Sequence, residues 1–176
     1  MVIEVQTEQS GLNHFSARVG IMNPVSTPAH VRTQKLLLPI LVGGAIAGTL
    51  DQISAFITFG WGVPRAIAAG LLGRQAFQGG VATWILGLLL HFFIALTAAA
   101  IYCLASRRLT FLKEHFVVCG MFYGIAVFLV MNLIVLPISG LHAAGPYQLR
   151  GLIQGIVVHM LIIGLPISAS LRIFSK

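Results

Sequence analysis

Long apolar runs and short polar breaks alternate along the chain, and four of the runs, at about 36–59, 81–105, 116–139 and 151–174, are almost free of charge. Each is long enough to cross the ~30 Å hydrocarbon layer of a bilayer as a helix. The pattern predicts an all-α, polytopic membrane protein with four transmembrane helices. Pro39 falls in the first turn of its run, where a missing N–H costs little. Pro166 lies well inside the last run and predicts a bend, because it deletes one backbone hydrogen bond and crowds the preceding turn.

The segment between the first two runs, GWGVPRAIAAGLLGRQAFQGG, is different in kind. Pro64 can open a helix over about 64–77, but that length cannot span a bilayer and it carries Arg65 and Arg74. Glycines punctuate both ends, so it reads as a short interfacial or re-entrant helix at one membrane face. Ahead of the first run, residues 1–34 are polar and rich in Ser, Thr, Pro and Asn, which predicts a flexible tail with no secretory h-region. The transmembrane domain then occupies 35–176.

Composition narrows the class. Hydrophobic residues make up 57% of the chain and charged residues 9%, against roughly 25% charged in a soluble domain. An ordinary soluble domain and a disordered chain are both excluded. The formal net charge of +7 would point to nucleic acid in a soluble protein. Here the basic residues flank the apolar runs, so topology and lipid phosphate explain them and no nucleic-acid partner is expected. Eight Lys or Arg fall on the side of the tail, the 106–115 turn and the C-terminal end, and three (Arg65, Arg74 and Arg150) on the other. Excess positive charge marks the cytoplasmic side, which places both termini there. Cys103 and Cys119 match neither a disulfide framework nor a zinc spacing and read as free thiols.

Small residues recur four apart at Gly44 and Gly48, Gly120 and Gly124, and Gly151 and Gly155. Lipid tails give helices no hydrophobic drive to associate, so close backbone approach at glycine is a main way to pack them. The three pairs predict a tight bundle within one chain. Docking of a second copy, or of another membrane subunit, is the alternative use.

Asp51, His91, Asn132 and His159 occur one per span, and a rise of ~1.5 Å per residue puts all four roughly 11–15 Å below the outer face. An Asp at that depth costs at least ~2.5 kcal/mol unless it has a partner. A common polar layer is therefore expected, with a histidine or Asn132 supplying the donor. Four uses of the layer fit these residue types. One is a structural hydrogen-bond knot, and another is a proton- or ion-handling site pairing Asp51 with a histidine. The others are a metal site on Asp51, His91 and His159 and a bis-histidine haem between His91 and His159. No cofactor follows from spacing alone.

The remaining candidates belong to the membrane surface. His14, His30, His115 and His142 lie in polar segments and read as solvent or headgroup residues. Trp61, Trp84 and Tyr147 near the outer boundary, and Tyr102 near the inner one, suit amphipathic rings at an interface. Arg65, Arg74 and Arg150 can meet lipid phosphate or another anion close to the helix start at Pro64.

His91, Tyr102-Cys103, Gly120, Gly124, Asn132, Pro137, Gly140-Leu141, His159 and Arg172 follow one another in an order and spacing that resemble the YagU-like bacterial inner-membrane proteins, over about 80–175. At Asn132 that pattern has histidine, so a metal site counting three histidines is incomplete here. The resemblance implies a four-helix protein of the bacterial inner membrane and brings no established reaction with it. The expected function is that of a small, non-enzymatic integral membrane protein, partnered by the lipid bilayer, whose polar layer holds the bundle and handles a proton or an ion. A subunit or assembly module docking through its glycine faces, and a haem or metal protein centred on His91 and His159, are the alternatives.

Overall fold

The computed structural model describes residues 29–143 and 148–175, and helices make up all the regular structure among them. In chain order they are α1 (Ala29–Phe59), α2 (Val63–Leu72), a 3-10 turn (Arg74–Gln78), α3 (Val81–Ala105), the short α4 (Phe111–Glu114), α5 (Phe116–Ile138) and α6 (Leu149–Phe174). Four segments are long and apolar enough to cross a membrane: α1 from Leu36 onward, α3, α5 and α6. The protein is thus a multi-pass helical membrane protein with the spans its apolar runs predict.

Two boundaries differ from expectation. Helix α1 begins at Ala29, inside the stretch read as a flexible tail. Extending a helix that already exists is far easier than nucleating one, and Arg, Gln and Lys are good helix formers. The rest of that stretch, 1–28, lies outside the described residues, as does Tyr147. The helix expected over 64–77 is divided, because α2 stops at Leu72 and Gly73 takes φ +75 before the 3-10 turn begins. Only a residue without Cβ adopts that backbone without strain.

Glycine decides which spans are neighbours. A Cβ on Gly43 would lie 3.0 Å from Ser170 Cβ of α6, and one on Gly44 would lie 3.0 Å from the Leu96 Cα of α3. Helix α1 therefore sits between α3 and α6. On the far side of α6, a Cβ on Gly120 or Gly124 of α5 would collide with Ser168 or with the carbonyl of His159. The order around the bundle is α3, α1, α6, α5. Helices α3 and α5 are not packed along their length, and two tyrosines join them near the end where α3 finishes and α5 begins. Tyr123 donates to the Ala98 carbonyl at 2.7 Å, and its ring lies 4.9 Å from that of Tyr102. Tyr102 is a core residue rather than the interfacial anchor expected: it is buried and donates to the Leu112 carbonyl. A dipole that needs an acceptor is met here by protein instead of by headgroup water.

Helix α5 widens to a π turn at Met131–Val135, just before Pro137, and α6 does so at His159–Gly164, just before Pro166. Proline has no N–H and presses on the carbonyl four residues back, and a wider turn relieves both. At Pro166, where a bend is expected, the helix carries this wider turn.

Candidate intramembrane cavity

At the end of the bundle where α1 finishes and α3 begins, α2 lies over the spans. Pro64 rests directly on Gly87 of α3, where any Cβ would overlap the Pro64 carbonyl. The Gly140 N–H beyond α5 donates to the Gly70 carbonyl of α2 at 2.7 Å. Beneath this cover is a cavity of about 560 Å³ bounded by α1, α2, α3, α5 and α6. Asp51, His91, His159 and Ser139 are on its wall, which is otherwise almost wholly aliphatic. A second void of about 330 Å³ follows the seam between α3 and α5 and shares Ile94, Ala98, Val127, Met131 and Val135 with the first.

The structure brings together three members of the expected polar layer. Asn132 is not on the cavity wall; its side-chain amide donates to the Phe128 carbonyl at 2.9 Å. Both cavity histidines bond backbone carbonyls. Nε2 of His91 bonds the Gly48 carbonyl of α1 at 2.8 Å, and Nδ1 of His159 bonds the Gly155 carbonyl of its own helix at 2.9 Å. Among the described residues neither imidazole bonds Asp51, and no three His, Cys, Asp or Glu side chains converge to hold a metal ion. Each imidazole lies within hydrogen-bond distance of a carbonyl, His91 of one on a neighbouring span and His159 of one on the preceding turn of its own helix.

A carbonyl oxygen only accepts, so the bonded ring nitrogen of each histidine carries the proton. That leaves Nδ1 of His91 and Nε2 of His159 as acceptors in the neutral rings. The Ser139 hydroxyl is occupied, donating to the Leu136 carbonyl at 2.8 Å and accepting from the Leu141 N–H at 3.3 Å.

Five of the six glycines expected to pack helices meet another span of this chain: Gly44 and Gly48 meet α3, Gly120 and Gly124 meet α6, and Gly155 meets the Phe128 ring. Gly151 does not, being exposed with nothing within 4 Å of a Cβ placed on it. It lies at the start of α6, beyond the point where α5 approaches.

Arg74 and Arg150 are exposed, as headgroup contacts require, but Arg65 is partly enclosed and its Nε has no hydrogen-bond partner. Trp84 donates to the Trp61 carbonyl at 3.0 Å and Phe56 stacks on the Trp61 ring at 4.6 Å, forming an aromatic cluster between α1 and α3. Gln52 escapes a reading of one polar residue per span. It is only 4% exposed and neither amide heteroatom has a hydrogen-bond partner. Its signal was its place in an apolar run, directly after Asp51. No protein-family profile, curated protein or solved structure matches the chain.

Proposed function

We propose that the protein is a non-enzymatic inner-membrane protein that binds a small, largely apolar molecule taken from the bilayer. The observation behind this reading is the cavity of about 560 Å³, apolar except at Asp51, His91, His159 and Ser139 and sharing five wall residues with the void along the α3–α5 seam. Ligand sites have this size and this mixture of apolar wall with a few polar groups. A bilayer-dissolved molecule reaches the seam directly, without crossing water. The excess of Lys and Arg beside the termini supports cytoplasmic termini, with α2 then on the outer face. Kinship with the YagU-like proteins is proposed on residue order alone.

Handling of a proton or an ion at Asp51 is the second reading, favoured by the two imidazole acceptors on the same wall. Docking of another subunit through glycine faces has less support, because five of those six glycines already meet spans of this chain.

Native mass spectrometry of protein extracted in mild detergent tests the binding reading. The expected result is a one-to-one adduct with an organic-soluble molecule, lost when Ala66→Trp fills the cavity from α2. Protein that carries no adduct and retains added 1-octanol no better than the filled variant would overturn it.

A further inference from the structure

We propose that the cavity selects an amphiphile whose head group donates hydrogen bonds and carries positive charge, an alkyl ammonium in chemical class. This rests on the binding reading above and adds the chemistry of the head. Four side chains with nitrogen or oxygen are on the wall: Asp51, His91, His159 and Ser139. Ser139 already donates and accepts within its own turn. His91 and His159 each direct an N–H to a backbone carbonyl, at 2.8 and 2.9 Å, which leaves one acceptor nitrogen apiece. The wall thus offers the Asp51 carboxyl oxygens and two imidazole nitrogens as acceptors, and no Lys or Arg is among the described residues that line it.

Such a set discriminates sharply. A carboxylate, sulfate or phosphate head would place its own acceptors against these, and like charge in an apolar cavity is strongly unfavourable. An uncharged hydroxyl supplies one proton. A primary ammonium supplies three donors and the counter-charge that Asp51 lacks in the protein, since neither cavity histidine bonds it. Arg65 and Arg74, the basic residues of the 60–80 segment, are not on the wall and leave the carboxylate to a ligand. The aliphatic remainder of the cavity, extended by the α3–α5 seam, takes the alkyl chain.

The test is isothermal titration of full-length protein in phosphatidylcholine nanodiscs, with protein-free nanodiscs as the blank. The probes are octylammonium, octyltrimethylammonium, 1-octanol and octanoate. Octylammonium should bind about tenfold or more tightly than 1-octanol, the range of a charge-assisted hydrogen bond. Octyltrimethylammonium, charged but without an N–H, should fall between them, and octanoate should bind weakest. Asp51→Asn should reduce octylammonium to about the affinity of 1-octanol. Octanoate binding as tightly as octylammonium, or an Asp51→Asn protein that keeps the wild-type order, would overturn the head-group assignment while the cavity reading stands. The wild-type order alone decides the matter if the variant does not fold. If no probe binds wild type above the blank, the cavity reading fails and the head-group assignment with it.

Discussion

Nε2 of His91 in α3 donates a 2.8 Å hydrogen bond to the backbone carbonyl of Gly48 in α1, so a polar side chain of one span is satisfied by the main chain of another. The approach exists because Gly48 has no Cβ: one placed there would lie 3.0 Å from Ala95 Cβ and 3.1 Å from the Phe92 ring. Residue type and neighbour packing are thus coupled at one point. Replacing His91 by Phe keeps a ring of similar breadth and removes the donor. The expected loss is about 0.5–1.5 kcal/mol, the net worth of one hydrogen bond between membrane helices, read as a lower melting temperature in detergent.

Glycine at the α5–α6 contact offers a paired comparison. Gly124→Ala would drive a methyl group into the His159 carbonyl and is expected to cost about 1–3 kcal/mol through overpacking. Gly151→Ala, at a position with nothing within 4 Å, should stay within about 0.5 kcal/mol of wild type. Thermal melts of both variants in one detergent check the contrast, and equal losses would mean that α5 and α6 meet elsewhere.

Gln52 should be better replaced than kept, as far as stability is concerned. Its amide is buried and without a hydrogen-bond partner, and burying such a group costs about 1–3 kcal/mol. Gln52→Met keeps the length and flexibility of the side chain and removes the polar atoms. A higher melting temperature is expected. A marked fall would show that the amide has a partner in the membrane-embedded protein.

Orientation is open to direct reading. Reporter fusions at the N-terminus and after Lys176 should both report the cytoplasm, and a single cysteine at Gln75, exposed on the 3-10 turn, should react with an impermeant maleimide from outside. Labelling of Gln75→Cys only after lysis would reverse the assignment drawn from the excess of positive charge.

The four spans were legible in the sequence because crossing a bilayer is a property of each segment alone: about twenty apolar residues satisfy their own backbone in a helix whatever lies beside them. The same locality made Asp51, His91 and His159 visible as polar exceptions at similar depth. Gln52 is a polar exception in the same run, directly after Asp51. The division of the 64–77 segment at Gly73 hinged on one φ value that several glycines there could have adopted.

What the chain alone determined is therefore the number of spans, their lengths and the level of the ionisable groups within them, since each follows from local hydropathy and helical rise. Only the tertiary structure decided that α3 and α5 leave a seam, that Asn132 stays off the cavity wall while three of its companions share it, and that both histidines turn to carbonyls rather than to Asp51. Those outcomes depend on which glycine lets which backbone come near. That choice is made between residues as far apart in the chain as Gly43 and Ser170, and it reflects many weak contacts that no single segment contains.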